Sequence, residues 1–302
     1  MRLLITGAWS EAGKYIPRLE RDGHTVVFMQ HEKDALGCDP GDIQGVVCNG
    51  LFLYHDIKRF TSLRFIQLTS AGLDRVPVDY IKENNIALFN ARDVYSVPMA
   101  EHAVLSALEI FRNSRFFFEN QMNRVWQKDR GLRELSGSSV CVIGCGSVGT
   151  ECAKRFAALG CKVSGVDVKP FESEFFVKVY GFEERFAAVT EADIVVLCLP
   201  LTGETAGVID GDFLKRLKSG CVLINIARGG LINTDALVSA LKGQKLYAAL
   251  DVFEGEPLSA GSPLWNMKNV IITPHNSFAG DGNNGRLNQV ILRGINYGQT
   301  VC

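Results

Sequence analysis

The stretch from Val140 to Asp167 constrains the fold of this chain more than any other part of its sequence. It begins with a short apolar run, Val140 to Ile143, which is typical of a strand buried in a parallel sheet. Glycines follow in the spacing G-x-G-x-x-G, and a helical segment then ends at Gly160, a residue suited to a helix C-cap. A second apolar run, Val163 to Val166, leads directly into Asp167. This order predicts a strand, a helix and a second strand around a glycine-rich turn.

The glycines of this unit predict a dinucleotide site. The first permits a tight turn, the second lets backbone N–H groups approach a pyrophosphate, and the third lets the helix pack closely on the strand. The helix N-terminus adds free N–H groups, and an acid about 20 residues further on is placed to accept hydrogen bonds from a ribose. A plain glycine-rich turn is the alternative, but it does not explain the strands, helix and acid in this order. We assign to the cofactor site Gly144, Gly146, Ser147, Val148, Gly149 and Asp167.

Composition argues for a soluble protein without nucleic-acid or membrane partners. The chain has 302 residues, 47% of them hydrophobic and 22% charged, which predicts two ordinary globular domains. Its net charge of −1 favours neither nucleic acid nor an acidic membrane surface. No apolar run approaches ~18 residues, and the N-terminus enters a strand rather than a signal peptide. We therefore expect a cytoplasmic protein.

The cysteines and histidines do not indicate a metal site. There are nine cysteines, without a C-x-x-C pair and mostly inside apolar runs, so we expect buried reduced thiols. The five histidines are scattered and lack ligand spacing. No metal is expected.

Apolar runs alternate with helical segments along most of the chain, which predicts an α/β fold with two doubly wound parallel sheets. Strands of the first sheet are expected at Leu3–Thr6, Thr25–Met29, Ile43–Cys48, Phe65–Leu68 and Ile86–Phe89. Six strands of the second are expected at Val140–Ile143, Val163–Val166, Ile194–Leu199, Val222–Ile226, Tyr247–Val252 and Val270–Ile272. Between the sheets, 99–122 is predicted to form one long apolar helix, covered either by its own chain or by a second subunit. A last amphipathic helix is expected over 288–298.

Polar groups follow several strands of the second sheet, where open α/β sheets bind ligands. Arg228 follows one strand, Asp251 ends the next with Glu256 in the loop after it, and His275 follows the last. Arginine can bind a carboxylate bidentately, and histidine can exchange a proton near neutral pH beside a carboxylate that orients it. Each residue alone has a plain alternative, such as a helix cap or a solvated loop. Their joint placement favours a catalytic site.

The chain resembles the D-isomer-specific 2-hydroxyacid dehydrogenase family, which includes phosphoglycerate dehydrogenases and glyoxylate/hydroxypyruvate reductases. The resemblance covers nearly the whole chain. It rests on Ser70-Ala71-Gly72-Leu73-Asp74, Ala100-Glu101-His102, Gly144 to Gly149, Leu199-Pro200-Leu201-Thr202, Asn225 to Asn233, Asp251-Val252-Phe253, Glu256-Pro257-Leu258 and Thr273-Pro274-His275.

The resemblance implies a role for each matching residue. Arg228 would hold the substrate's carboxylate and carbonyl, His275 would be the acid/base, and Glu256 would be its partner. Asp251 and the Ala227 backbone would position the nicotinamide carboxamide. Further cofactor contacts are expected at Pro200 and Thr202, and main-chain amides at Ser70, Ala71 and Gly72 would bind the substrate carboxylate.

The resemblance also implies a domain plan and a cofactor. A Rossmann NAD-binding domain, 96–275, would be inserted in a flavodoxin-like substrate domain made of 1–95 and 276–302. The helix after Pro98 would build a homodimer. NAD is favoured over NADP because Asp167 would repel a 2′-phosphate, although Lys169 works against this preference.

Two other functions are compatible with the same residues. A non-catalytic NAD-sensing protein, like the corepressors on this scaffold, would keep the catalytic set. A hydrolase that oxidises its substrate transiently would need further lysine and aspartate groups that the sequence does not place. The substrate is also open, because Asn276, Ser277 and Phe278 depart from the small residues usual after the histidine. Phosphoglycerate would be a possible substrate if Lys58, Arg59 and Arg75 bind its phosphate, whereas the plain alternative is that they are solvated surface charges.

Overall fold

The structure is a computed structural model that describes residues 1–243 and 246–300, without the side chains of 299 and 300. Its strands are β1 (Arg2–Thr6), β2 (Thr25–Met29), β3 (Gly45–Cys48), β4 (Phe65–Leu68), β5 (Ala87–Phe89), β6 (Ser139–Ile143), β7 (Lys162–Asp167), β8 (Lys178–Gly181), β9 (Ile194–Leu197), β10 (Cys221–Asn225), β11 (Leu246–Leu250) and β12 (Val270–Ile272). Its α-helices are α1 (Ala12–Arg21), α2 (Val78–Glu83), α3 (Ser96–Phe111), α4 (Ser114–Met122), α5 (Ser147–Ala158), α6 (Arg185–Val189), α7 (Gly211–Arg216), α8 (Thr234–Lys242) and α9 (Asn283–Thr300).

The chain divides into two compact units, 1–95 with 280–302 and 96–279. The sequence placed the later boundary at 275/276 rather than at 279/280. Residues 301 and 302 of the predicted substrate domain, the latter being the ninth cysteine, lie outside the described residues.

The first unit is built on a parallel sheet in the order β2-β1-β3-β4-β5. Its strands are short apolar runs, and β3 and β4 are buried along their whole length. Helix α9 packs on β4 at two glycines, because a Cβ added at Gly294 or Gly298 would overlap Gln67 or Phe65. The C-terminal segment is therefore part of this unit, although it follows the second unit in the chain.

The second unit has a seven-stranded parallel sheet in the order β12-β11-β10-β9-β6-β7-β8. The chain runs from β6 outward to β8, returns to β9 and runs outward again to β12. The strand order therefore reverses between β6 and β9, and ligands of open α/β sheets bind at such a point. The sequence predicted six of these strands and missed β8, which has the sequence KVYG and only one fully buried residue. An edge strand without an apolar run gives no periodic signal.

The prediction of one long helix over 99–122 is wrong. Helix α3 ends at Phe111, and α4 begins at Ser114 after Asn113, which has a left-handed φ of 51°. Asparagine adopts this conformation more easily than most residues, so a helix can end there. The two halves also differ in burial. Ala100, Ala103 and Phe111 of α3 lie in the core of the second unit, whereas no residue of α4 is buried.

The sequence also led to expectations about thiols, metal ligands and membrane-spanning segments. Cysteines 38, 48, 141, 145, 152, 161, 198 and 221 are free thiols, most of them buried. Within 1–243 and 246–300, no group of three or more potential metal-ligating side chains lies close enough together to hold an ion. None of the helices in those ranges is long and apolar enough to cross a membrane.

Candidate functional site

His275 and Glu256 form a hydrogen-bonded pair beyond the carboxyl ends of β11 and β12. Nδ1 of His275 lies 2.7 Å from Oε2 of Glu256, and Oε1 of the same carboxylate accepts the amide of Phe253 at 3.0 Å. About a third of each side chain is exposed, 37% for the histidine and 36% for the glutamate. An ionised carboxylate can only accept, so Nδ1 carries a proton and Nε2 is left for another partner. The pair has the arrangement of an oriented acid/base.

The backbone of His275 is held in an uncommon conformation, with a φ of 51°. Its amide lies 2.7 Å from the carbonyl oxygen of Asp251 and 3.1 Å from that of Thr273. A left-handed histidine is unfavourable by roughly 1–2 kcal/mol, so these contacts must impose it. The corner after β12 therefore has a fixed shape, and that shape directs the imidazole.

Asp251 lies beneath this corner and is only 1% exposed. Its Oδ1 accepts the Thr273 hydroxyl at 2.6 Å and the Asn276 amide at 2.8 Å, and its Oδ2 accepts the Ser277 amide at 2.9 Å. Burial raises the pKa of the carboxyl, but the hydrogen bonds from Ser277, Thr273 and Asn276 outweigh it, and the net pKa is lowered. Asp251 is therefore an ionised anchor for the 273–277 corner. Its contact with a nicotinamide carboxamide stays a prediction.

Arg228 lies in the loop after β10, half-buried and with an extended backbone. Its Nη1 donates to the Ala227 carbonyl at 2.8 Å, and its own carbonyl accepts the Asn225 amide group at 2.9 Å. The next residue, Gly229, has no room for a side chain because a Cβ there would overlap the backbone of Phe253. The loops that carry Arg228 and Glu256 are thus in direct contact. Apart from the glycine pair itself, no sequence pattern indicates this requirement.

The glycine-rich loop after β6 has the geometry that the spacing predicted. Gly144 has a φ of +92°, and a Cβ there would lie 2.6 Å from the Leu199 amide nitrogen. A Cβ at Gly149 would overlap the Gly144 carbonyl oxygen. Gly146 differs, because no heavy atom lies within 4 Å of its added Cβ. Its backbone therefore borders open space at the N-terminus of α5, where a pyrophosphate would approach.

Asp167 holds the glycine-rich loop in place. Its Oδ2 accepts the Cys145 amide at 2.9 Å, and its Oδ1 accepts the Lys169 amide at 3.0 Å. Burial raises the pKa of the Cys145 thiol to about 12, so this cysteine is a protonated packing group. Each Asp167 oxygen keeps a second lone pair, which is available to a ribose hydroxyl.

The remaining predicted cofactor positions border the same loop or follow β9. Ser147 begins α5, and its hydroxyl lies 2.9 Å from that of Ser96 at the start of α3. Val148 is the next residue of α5 and is partly buried against the core. Pro200 and Thr202 are exposed in a turn where Oγ1 of Thr205 donates to the Pro200 carbonyl at 2.7 Å and accepts the Thr202 amide at 2.8 Å.

The predicted carboxylate-binding segment belongs to the first unit, in the loop after β4. The carbonyls of Ser70 and Ala71 accept hydrogen bonds from the Ala91 amide at 2.9 Å and the Asn90 side chain at 2.7 Å. The carbonyl of Gly72 accepts the Ser70 hydroxyl at 3.3 Å. The amides of 71 and 72 donate to no acceptor among the described residues. The binding of a substrate carboxylate by this loop stays a prediction.

Two features near His275 could not be read from the sequence. The Phe278 ring, 43% exposed, packs edge-on against the imidazole with the centroids 6.2 Å apart. Two residues before His275, Oγ1 of Thr273 lies 3.3 Å from Nε2 of His102. His102 belongs to the segment Ala100-Glu101-His102 that carries the resemblance, and its partner is 171 residues away along the chain.

A family model of the NAD binding domain of D-isomer specific 2-hydroxyacid dehydrogenases matches residues 104–277. The chain is 33% identical over 226 residues to a D-3-phosphoglycerate dehydrogenase of Archaeoglobus fulgidus; the match covers 72% of this chain but only 42% of that relative. It is 30% identical over 242 residues to an (S)-sulfolactate dehydrogenase of Chromohalobacter salexigens, covering 79% of this chain and 78% of that one.

The fold is also that of a solved protein. A crystal structure of a D-isomer specific 2-hydroxyacid dehydrogenase family protein from Aeromonas salmonicida superposes with a TM-score of 0.81 at 29% identity. The superposition covers 97% of this chain and 93% of that one. The likeness therefore includes the first unit, which lies outside the range matched by the family model.

Proposed function

This chain belongs to the D-isomer specific 2-hydroxyacid dehydrogenase family, and from that premise we propose that it transfers a hydride between NAD and C2 of a small 2-oxo or D-2-hydroxy acid. The observation that carries the proposal is the hydrogen bond of 2.7 Å between Nδ1 of His275 and Glu256. It leaves Nε2 of the histidine to exchange a proton with the substrate oxygen. The NAD-sensing alternative is not favoured, because the two relatives described above are named as dehydrogenases.

His275 would supply the proton that the reduction consumes. A dinucleotide held by the loop after β6 would supply the hydride for C2 of the 2-oxo acid, and the substrate's carbonyl oxygen would take up the bond pair and need a proton. The imidazolium would give its Nε2 proton to that oxygen and become neutral, so that the charges balance. Glu256 would favour the imidazolium before the transfer, because a carboxylate beside it stabilises its positive charge.

Arg228 would bind the substrate's carboxylate and stabilise the charge that develops on the carbonyl oxygen. We assign the second carboxylate contact to the loop of Ser70, Ala71 and Gly72, whose carbonyls already have partners within the first unit. That arrangement leaves main-chain N–H groups to face an anion. In this proposal the first unit, which is discontinuous in sequence, supplies main-chain contacts to the substrate, and the continuous second unit supplies Arg228, the cofactor site and the acid/base.

The cofactor is assigned to the loop after β6 and the residues around it. Gly146 offers backbone N–H groups beside open space, and Asp167 offers its remaining lone pairs to the ribose. We place the nicotinamide carboxamide against the Ala227 backbone and Asp251. The turn of Pro200 and Thr202 would border the cofactor on the side of β9.

The first test is NADH oxidation, followed by absorbance, with glyoxylate, hydroxypyruvate, pyruvate, 2-oxoglutarate and phosphohydroxypyruvate. His275→Ala should lose roughly 10²–10⁴-fold in kcat while it still binds NADH. The matched control is His31→Ala, which changes an exposed histidine of the first unit and should leave kcat unchanged. NADH binding without turnover of any acid would contradict the proposal.

We further propose that the protein is a homodimer formed through α4 and the segment after it. Phe118, Met122 and Trp126 are 61%, 82% and 97% exposed, which is unusual for large apolar side chains grouped in one stretch. Sedimentation of the double variant Met122→Lys with Trp126→Ser should show a monomer. Tyr54→Ser, which changes a 61% exposed aromatic elsewhere, should leave the dimer intact.

A cytoplasmic location is proposed from the thiols. Cysteines at eight described positions are unpaired, and Cys48 and Cys141 are fully buried. Free thiols in this number persist in a reducing compartment. Fractionation of cells with an antibody to the protein tests this proposal, and recovery outside the cytoplasmic fraction would contradict it.

A further inference from the structure

His102 of α3 is connected to the 273–277 corner by a chain of hydrogen bonds. Its Nε2 lies 3.3 Å from Oγ1 of Thr273, and that hydroxyl lies 2.6 Å from Oδ1 of Asp251. The Asp251 carboxyl has a lowered pKa and is ionised, so it can only accept. The single hydroxyl proton of Thr273 therefore goes to Asp251. The Thr273 oxygen must then accept from His102, which carries its proton on Nε2.

The direction of these hydrogen bonds matters because Asp251 holds the backbone amides of the three residues 275–277. Its carboxylate accepts the amides of Asn276 and Ser277, at 2.8 and 2.9 Å, and its carbonyl accepts that of His275 at 2.7 Å. All three residues that follow Pro274 are thus tied to one aspartate. If the Thr273 hydroxyl rotated away, the Asp251 carboxylate would lose one hydrogen-bond donor. Because Asp251 is only 1% exposed, water could not easily replace that donor.

We propose that His102 is a positioning residue for the acid/base. Its Nε2–H fixes the Thr273 hydroxyl toward Asp251, and Asp251 then holds the backbone amides of 275–277, with His275 in its left-handed conformation. The His275 ring is thereby held against Glu256. The catalytic part of this inference rests on the proposed function. A histidine that only satisfied a buried hydroxyl would affect stability and would leave the chemical step unchanged.

The test compares four variants in the 2-oxo acid assay. His102→Leu removes the donor, His102→Gln keeps an N–H group near the Nε2 position, and Thr273→Val removes the hydroxyl at nearly constant shape. The leucine and valine variants should lose about 10-fold in kcat with KM for NADH little changed, since misplacement of a catalytic group acts on the chemical step. The glutamine variant should recover most of the loss. The leucine–valine double variant should lose no more than either single variant, because both break the same chain.

A second readout does not depend on turnover. Amide hydrogen exchange at 275–277 should be about 10-fold faster in His102→Leu, while exchange in the buried strands β9 and β10 stays as in the wild type. Glu101→Gln is the matched control, because Glu101 is the neighbouring residue of α3 and pairs with Arg155 at 3.5 Å. Neither kcat nor exchange at 275–277 should change in that variant.

The outcomes separate this inference from the proposed function. If the wild type reduces an acid and His102→Leu keeps its kcat, or if the two single losses add in the double variant, the positioning role is wrong and the function stands. If the wild type reduces none of the acids while His102→Leu still accelerates exchange at 275–277 alone, the proposed function is wrong and the connection from His102 to the corner stands.

Discussion

Nδ1 of His275 and Oε2 of Glu256 are 2.7 Å apart, and the other oxygen of this carboxylate is held by the Phe253 amide at 3.0 Å. The glutamate is therefore fixed by its own loop before it orients the histidine. The histidine in turn is held by backbone contacts to Asp251 and Thr273. Each partner thus has backbone contacts of its own in addition to their mutual hydrogen bond, so the pair is preorganised for proton transfer.

Glu256→Gln should reduce kcat by about 10-fold. The amide keeps most of the shape but removes the negative charge, which at an effective dielectric constant of 20 is worth at most about 4 kcal/mol to a charge 4 Å away. With a third of both side chains exposed, solvent screens much of this energy. Initial rates with saturating NADH measure the effect. Glu254→Gln, an exposed residue of the same loop, is the control, and an equal loss in both variants would contradict a specific role for Glu256.

Alanine at two glycines of the loop after β6 should have different consequences. In Gly149→Ala the new Cβ would overlap the Gly144 carbonyl, so stability should fall by about 1–3 kcal/mol and NADH binding should weaken. In Gly146→Ala no protein atom lies within 4 Å of the new Cβ, so the thermal midpoint should be unchanged. NADH affinity should nevertheless fall about 10-fold, because the methyl group occupies the space assigned to pyrophosphate. Calorimetry and NADH fluorescence titration give the two quantities. Unchanged affinity in Gly146→Ala would show that the pyrophosphate binds elsewhere.

Lowering the pH should destabilise the second unit, because Asp251 becomes protonated. The hydrogen bonds to Asp251 lower its pKa below the ordinary value of 3.8, so the folded state binds this proton less readily than the unfolded state. The stabilisation is therefore complete above about pH 4–5 and is lost as the pH falls toward the lowered folded pKa. Denaturant titrations from pH 7 to pH 3 should show this loss in the wild type. Asp251→Asn should be less stable at pH 7 by about 2 kcal/mol and should show a flatter pH dependence. Equal slopes for the two proteins would contradict the assignment.

The sequence predicted those parts of the fold that have a local signal. The strand β6, the glycines, helix α5 and strand β7 follow from apolar periodicity and from backbone conformations that only glycine tolerates well. Strand β8 has little apolar content, and within the described part of the chain β7 is its single pairing partner, so its existence depends on that neighbour. The break at Asn113 depends on one residue adopting a left-handed conformation, and propensity does not distinguish such an asparagine from one inside a helix.

The sequence indicated candidate site residues but not the contacts between them. His275, Glu256 and Asp251 follow strands, and parallel strands end at one edge of the sheet. That Asp251 is buried and points its carboxylate at 276 and 277 depends on the shape of the corner after β12. That His102 reaches Thr273 depends on how α3 packs in the second unit. Contacts of this kind join distant parts of the chain, and a single sequence contains no pattern that pairs them.

Asp167→Asn should shift the cofactor preference toward NADPH. The oxygens of Asp167 accept the amides of Cys145 and Lys169, so the carboxylate is fixed at the end of β7, where the ribose is assigned. A 2′-phosphate placed there would face a negative charge, and repulsion at a partly exposed site is worth about 1–2 kcal/mol. Neutral asparagine retains an acceptor for one amide, so the loop should keep its shape while the repulsion disappears. The ratio of kcat/KM for NADPH to that for NADH should therefore rise about 10-fold, and Lys169→Ala in the same background should lower it again because it removes the nearby positive charge. A ratio that Asp167→Asn leaves unchanged would mean that this carboxylate shapes the glycine-rich loop without selecting the cofactor.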